Sequence, residues 1–473
     1  MDRAGRPDYR EWMSDTLTHH MRRTLVLGLP LVGGQVAQMA IGVTDTLMLG
    51  WYSVPALAAG TLGASFFFTV YLLGSGFSYA VLPLAAAGAG QGDDQRVRRV
   101  ARMGLWLSAG FALAALPLMW WSGAILLALG QAPSVAADAQ TYLRIAGPGL
   151  LPALLTAALR AHLSALEHTR VVLWAVLLAG LANAGVNWLL IFGNAGFPEL
   201  GLAGAAIASL GVHLLTTAVL LAYALRGPGM ARFDLLRNIR RPDWPVLSEI
   251  FRLGWPIGLT SVSESGLFAA SALMMGYLGT VPLAAHGVTI QIAGLVFMVH
   301  LGLSSAVTVR VGRYWGQGDA TGMRRAAISA SILSFIAVLL ATWLYIGGGE
   351  AMIALFVAPD DPVRPAILAL GAKLLILAAL FQLVDAAQVM ALGMLRGVQD
   401  TRRPMVYAII AYWGLGMPAS WVLGIELGLG PEGIWLGLCV GLGVAAITLS
   451  WRFLRLLAAA ERTPARAPVT SRS

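Results

Sequence analysis

The sequence predicts an all-α integral membrane protein, with twelve transmembrane helices in two six-helix lobes related by a pseudo-two-fold axis along the membrane normal. Of its 473 residues, 58% are hydrophobic and only 12% are charged, which is about half the charged fraction of a soluble domain. Apolar stretches of about 18 residues or more, each long enough to span a bilayer, recur along the whole chain. The short alternating segments typical of a membrane β-barrel are not found in it.

Twelve apolar stretches are predicted as membrane spans. They lie near residues 25–49, 58–84, 103–129, 140–163, 171–193, 202–225, 251–277, 283–308, 327–348, 366–393, 404–424 and 433–455. The predicted organisation is an N-terminal arm (1–24), an N-lobe (25–226), a linker (227–250), a C-lobe (251–456) and a tail (457–473).

The basic residues predict the topology. Of the 32 Lys and Arg residues, all but Arg144, Arg364 and Lys373 fall in the arm, the even-numbered loops or the tail. Basic loops stay in the cytoplasm, so a multi-pass inner-membrane protein with both termini cytoplasmic and an even number of spans is expected. The same loops account for the net charge of +9, and no nucleic-acid partner is expected.

The two halves of the chain repeat. Gly28–Pro30 recurs as Gly254–Pro256, and Gly90–Asp93 recurs as Gly316–Asp319, both after 226 residues. Several matches at one offset indicate duplication. Since six spans are an even number, both halves insert in the same orientation and form a parallel repeat with a cavity between the lobes.

Three of the 23 acidic residues lie well inside predicted spans: Asp45, Glu264 and Asp385. Charge in hydrocarbon is costly and marks a functional site. Glu264 follows Arg252, and Asp385 precedes Arg396, by distances that place both acids roughly 17–18 Å from the arginine-rich edge at 1.5 Å per residue. Two carboxylates at one depth would hold a proton or bind a cation such as Na⁺.

Other polar residues are expected to support these acids. Gln38 occupies the position of Glu264 in the repeat, so the two lobes are not chemically equivalent. Asn183 and Asn187 are spaced i, i+4 and either join Asp45 in a polar site or make hydrogen bonds between helices.

His286 and Gln291 are predicted at the cavity wall, although a single intramembrane histidine is more often a packing residue. For the acid pair, the structural alternative is pairing with Lys373 or capping of a broken helix, but Lys373 is three turns from Asp385. No P-loop, Ser-His-Asp or His-Glu-x-x-His pattern is present, and Cys439 is the single cysteine. An enzyme is therefore not expected, nor any cofactor beyond the coupling ion.

Several segments resemble the multidrug and toxic compound extrusion (MATE) family of transporters, in its NorM-like branch. The resemblance covers nearly the whole chain, and its last segment is the most specific. The segments are Val43–Met48, Gly258–Glu264, Ala284–Gln291, Val309–Gly312, and Phe381–Gln388 followed by Leu395–Arg402.

The resemblance implies a fold of six plus six helices around a V-shaped cleft. It implies that Glu264 and Asp385 are the cation-coupling acids of the second lobe, and that Asp45 is the acid of the first lobe, with Asn183 and Asn187 as its partners. Members of this branch can have a tyrosine four residues before the second-lobe aspartate, where this chain has phenylalanine. One oxygen ligand is thus missing, which favours protons over Na⁺.

The predicted function is cation-coupled (H⁺ or Na⁺) efflux of drugs and other xenobiotics by an antiporter with alternating access. It is expected to act as a monomer among membrane lipids, on small organic and often cationic substrates. The alternative is a flippase or exporter of lipid-linked saccharides or other metabolites, which would require clustered cations in its cavity. A channel or receptor is a further alternative.

Overall fold

The structure is a computed structural model and describes residues 17–462. Within these residues, twelve helices are long and apolar enough to cross a membrane, and no β-strand is present, which confirms the predicted fold class. The helices are α1 (Leu17–Tyr52), α2 (Val54–Gln91), α3 (Asp94–Trp120), α4 (Pro133–Ala165), α5 (Thr169–Phe192), α6 (Leu202–Arg226), α7 (Trp244–Leu278), α8 (Thr280–Gln317), α9 (Ala320–Ala354), α10 (Arg364–Gly397), α11 (Arg402–Glu426) and α12 (Gly430–Arg462).

Most helices are longer than the apolar spans that predict them. The 38 residues of α2 and of α8 reach about 57 Å at 1.5 Å per residue, beyond the 40–45 Å of a whole bilayer. Other helices also extend beyond their predicted spans: α1 begins inside the predicted arm, α7 begins inside the predicted linker, and α12 ends inside the predicted tail. The rest of the arm and tail, residues 1–16 and 463–473, lie outside the described residues.

Two of the twelve helices are irregular. A 3₁₀ turn at Gly147–Gly149 interrupts α4, which is preceded by a short helix at Ser122–Ala128. Two π-helical segments, Ile410–Gly416 and Val422–Glu426, lie within α11. π-helical turns, which are wider than α-helical turns, are rare and are frequent at functional sites.

The described residues form two compact units, and the boundaries between these units fall inside helices. Residues 33–262 form the N-terminal unit; residues 17–32 and 263–462 form the C-terminal unit. Each boundary lies a few residues beyond a proline within the helix, Pro30 in α1 and Pro256 in α7. The first part of α1 therefore packs with the C-terminal helices, and the first part of α7 packs with the N-terminal helices.

Polar contacts fix these two half-helices within their units. In the C-terminal unit, Arg310 of α8 donates to the backbone oxygen of His20 in α1 at 2.7 Å. In the N-terminal unit, Arg99 of α3 donates to Asp243, the residue before α7. Arginine and a carboxylate or carbonyl form strong, charge-assisted hydrogen bonds, which suit the membrane edge, where water competes for every polar group.

The repeated tetrapeptide adopts one conformation in both halves. Gly92 and Gly318 end α2 and α8 in the left-handed region, with φ of 71° and 70°. The next residue caps the following helix: Asp93 and Asp319 each accept a hydrogen bond from a backbone N–H three residues later, at 2.8 and 2.9 Å. Glycine followed by a short acid satisfies the end of one helix and the start of the next.

Candidate functional site

Two acidic side chains of the C-terminal unit, one from α7 and one from α10, lie near each other. The amide of Gln388 donates to Oε1 of Glu264 at 3.3 Å, and Gln388 follows Asp385 by less than one turn of α10. Asp385 is 1% exposed and lies within electrostatic range of Glu264. The structure thus brings together the two carboxylates that their depth along the chain predicts as a pair.

Unpartnered oxygens surround this pair. Among the described residues, neither carboxylate oxygen of Asp385 has a hydrogen-bond partner, and the same is true of Oε1 of Gln388 and the hydroxyl of Tyr412. An ionised carboxylate without a donor is costly in a low-dielectric interior, so it requires a proton or a cation. Oxygen ligands of this kind fit a proton or a hard cation such as Na⁺.

Sequence reasoning missed Tyr412. Its side chain is fully buried within electrostatic range of both acids, on the first π-helical segment of α11. The indole of the next residue, Trp413, donates to the backbone oxygen and the hydroxyl of Ser263 at 3.2 and 3.1 Å, one residue before Glu264. A single tyrosine in an apolar span carries no signal of this role, because the π-helical register that turns it inward is not visible in the sequence.

An aromatic cluster lies around Phe381, about one turn of α10 before Asp385. The ring of Phe381 lies 5.9 Å from Phe268 and 5.4 Å from Trp435. His286 lies 5.7 Å from Trp435 and 3.5 Å from the hydroxyl of Ser271, so it packs among these rings. At the position where members of the NorM-like branch can have a tyrosine hydroxyl, this chain has the apolar ring of Phe381.

Gln38, predicted to support the acids, and Gln291, predicted at the cavity wall, are both exposed. Within residues 17–462, neither makes a hydrogen bond to Asp45, Glu264 or Asp385. The structure therefore does not add them to either acidic group.

The N-terminal unit holds the third acid in a separate polar group. Nδ2 of Asn187 donates to Asp45 at 2.6 Å and to Oδ1 of Asn183 at 3.2 Å. Both asparagines are fully buried, and their i, i+4 spacing on α5 places them on one helix face. The structure thus brings Asp45 and the two asparagines together, the first of the two arrangements that their spacing leaves open.

Neither acidic group has the composition of a transition-metal site. No cluster of three or more His, Cys, Asp or Glu side chains that could hold a metal ion occurs in the described part of the chain. A Na⁺ ion at Glu264 and Asp385 would need further oxygens, and those of Gln388 and Tyr412 are the unpartnered ones.

The sequence matches the MatE family over residues 30–189 and 256–422. The chain belongs to the MatE family. The two matched segments correspond to the two predicted repeats, and membership places the chain among multi-pass membrane transporters rather than enzymes.

Named relatives of this MatE protein match over nearly their whole length. The chain is 43% identical over 446 residues to the probable multidrug resistance protein NorM of Rhizobium meliloti (strain 1021), covering 94% of this chain and 96% of the relative. It is 40% identical over 438 residues to the probable multidrug resistance protein NorM of Agrobacterium fabrum (strain C58 / ATCC 33970), covering 93% and 94%.

Solved MATE structures share the fold. The outward-facing conformation of a multidrug resistance MATE family transporter of the MOP superfamily superposes with a TM-score of 0.85 at 20% identity, covering 96% of this chain and 98% of that one. The eukaryotic MATE transporter AtDTX14 gives a TM-score of 0.83 at 18% identity, covering 94% and 99%. At these identities the likeness concerns the fold alone.

Proposed function

We propose that this protein is a cation-coupled antiporter that exports small organic, often cationic, compounds, with Glu264 and Asp385 as the coupling acids. The observation that carries the proposal is the buried carboxylate of Asp385, which has no hydrogen-bond partner among the described residues and lies within electrostatic range of Glu264. The relatives' name, probable multidrug resistance protein, supports the class of cargo.

The proposed coupling follows from the cost of uncompensated charge. With both acids ionised, two negative charges face one low-dielectric space, and a cation from outside lowers that energy. Binding of an H⁺ or Na⁺ removes charge and changes which arrangement of the helices is more stable. A cationic substrate that is attracted by the same negative charge then competes with the coupling ion, and exchange follows from their different affinities for the two states.

We favour the proton as the coupling ion. Phe381 contributes a ring to an aromatic cluster and has no oxygen to offer a metal ion, whereas a proton needs only one carboxylate. No cofactor beyond this ion is required, and the protein is proposed to work as a monomer in the inner membrane.

The decisive experiment is cargo transport by the purified protein in liposomes, driven by a pH gradient or a Na⁺ gradient alone. A fluorescent organic cation should be exchanged when the pH gradient is imposed, and Glu264→Gln and Asp385→Asn should each abolish the exchange. Asp138→Asn, at an exposed acid of α4, is the matched control and should transport normally. Normal exchange by both site variants would refute the assignment, and exchange driven by Na⁺ alone would replace the proton by Na⁺.

A further inference from the structure

A pocket of about 690 Å³ lies on the C-terminal unit, between the last turns of α9 and the first turns of α10. Gly347, Gly348 and Gly349 form part of its wall. A Cβ on either of the first two would meet no heavy atom within 4 Å, so close packing does not require glycine there. Consecutive glycines weaken a helix relative to alanine. Because Gly347 and Gly348 have no side chains, the space beside them stays open.

The pocket lies at headgroup depth, on the membrane face opposite to the arginine-rich one. Glu350 follows Arg324, at the arginine-rich start of α9, by 26 residues, or roughly 39 Å of helix. Tyr345 follows it by 21 residues, or roughly 31 Å. Because the hydrocarbon core is about 30 Å thick and the whole bilayer about 40–45 Å, the pocket reaches from the hydrocarbon boundary to the headgroups.

Opposite charges line this pocket without neutralising each other. Glu350 and Arg364 both line it, and no ion pair joins them within the described residues. Nε of Arg364 and the hydroxyl of Tyr345 are buried atoms with no hydrogen-bond partner there. The pocket thus offers one cation, one anion and one hydroxyl donor. Such buried polar atoms are costly unless a ligand satisfies them.

We propose that this pocket binds the headgroup of a zwitterionic phospholipid that carries a primary amine, of the phosphatidylethanolamine type. Arg364 binds the phosphate through charge-assisted hydrogen bonds, and Glu350 accepts from the ammonium. The Tyr345 hydroxyl, at the hydrocarbon boundary, donates to an ester oxygen.

Apolar residues continue this site toward the bilayer centre. Leu368, Ala372 and Ile376 line the pocket at intervals of four along α10, so they share one face of the helix. The first carbons of one acyl chain pack against this stripe of side chains. Glu350 disfavours a headgroup of net negative charge, which distinguishes this site from the anionic-lipid sites that basic clusters form.

The test is competitive lipid binding to the purified full-length protein. Delipidated protein is mixed with equal amounts of phosphatidylethanolamine, phosphatidylglycerol and phosphatidylcholine, and native mass spectrometry measures which lipid is retained. One phosphatidylethanolamine per chain should be retained in preference to the other two. Glu350→Gln should reduce its preference over phosphatidylglycerol by about fivefold, the weight of one exposed ion pair, and Arg364→Gln should weaken retention of both.

Two further variants separate a lipid site from loss of folding. Gly348→Leu places a side chain in open space, so it should block retention without lowering thermal stability. Glu432→Gln removes an acid near the start of α12 on the same membrane face, outside the pocket, and should bind lipid as the wild type does. Equal retention of phosphatidylglycerol, unchanged binding by Gly348→Leu, or the same lipid preference in Glu350→Gln and Glu432→Gln would each overturn the proposal.

Discussion

At the scale of single residues, Asp385 differs from most buried acids because no donor within residues 17–462 reaches either of its oxygens. A structural carboxylate in a membrane helix normally has a partner that remains throughout the life of the fold. Gln388, on the next turn of α10, and Tyr412, within electrostatic range, each have an oxygen without a partner among the described residues. This pattern suits an acid whose counter-charge arrives and leaves during each cycle.

Tyr412 provides a test of this interpretation. If the hydroxyl of Tyr412 binds the coupling cation, Tyr412→Phe should lower exchange several-fold. The thermal stability of the protein should stay the same or rise, because the variant removes a buried hydroxyl that has no partner within residues 17–462. Gradient-driven uptake in liposomes and thermal unfolding in detergent measure the two quantities. Tyr407→Phe, on the same helix outside the π-helical segment, should change neither. Loss of stability together with transport in Tyr412→Phe would make the residue structural.

At the scale of helices, α11 and α12 approach each other through small residues. A Cβ on Gly441 would lie 2.7 Å from the Cα of Gly416, whereas a Cβ on Gly443 would meet only one atom, of Val384, at 3.8 Å. Backbones that pack this closely replace the hydrophobic driving force that is absent in lipid. Gly441 and Gly443 are only two residues apart on α12, but they therefore differ in how large a side chain they tolerate.

Gly441→Ala should destabilise the C-terminal unit by about 1–3 kcal/mol, the usual cost of overpacking. Gly443→Ala should be neutral or slightly stabilising, because alanine favours the helix. Thermal unfolding of the two variants, followed by tryptophan fluorescence, measures the difference. Equal melting temperatures would show that α11 can move away from α12 without cost.

The start of α7 gives a prediction about pH. A hydrogen bond from Arg99, helped by its positive charge, holds the pKa of Asp243 below the ordinary value of about 4. Because the pKa is lowered in the folded state, the carboxylate stabilises the fold above about pH 4, and this contribution is lost as the pH falls through the folded-state pKa.

Asp243→Asn keeps a side chain that can cap α7 but removes the charge. It should cost about 1 kcal/mol at pH 7, and its melting temperature should converge with that of the wild type below about pH 4. A difference that is independent of pH would mean that the charge of Asp243 contributes nothing.

These helices also show what the sequence can and cannot predict. Apolar length predicts all twelve helices, and counting residues from Arg252 and Arg396 predicts that Glu264 and Asp385 share one depth. The inward position of Tyr412 could not be predicted, because it depends on a π-helical turn set by packing. The unit boundaries inside α1 and α7 could not be predicted either, since an uninterrupted apolar span gives no sign of which neighbours its two halves contact.

At the scale of the whole molecule, the distribution of arginine predicts the orientation in the membrane. Cytoplasmic loops retain Lys and Arg because basic segments resist translocation. The even-numbered loops carry clusters such as Arg240 and Arg241. The turn after α5 (residues 193–201) and the turn after α9 (residues 355–363) contain no arginine, and Arg364 is the first residue of α10. The predicted arrangement has both termini on the arginine-rich, cytoplasmic side.

Single-cysteine labelling tests this orientation, because Cys439 is the only cysteine and is buried. In a Cys439→Ala background, Asn194→Cys and Asp361→Cys should react with a membrane-impermeant maleimide in intact cells. Arg240→Cys should react only after the membrane is permeabilised, and the cysteine-free protein should not react at all. Labelling of Arg240→Cys in intact cells, with Asn194→Cys and Asp361→Cys protected, would invert the topology. It would also place the arginine-rich ends of the helices outside the cell, against the electrostatic rule that predicts the arrangement.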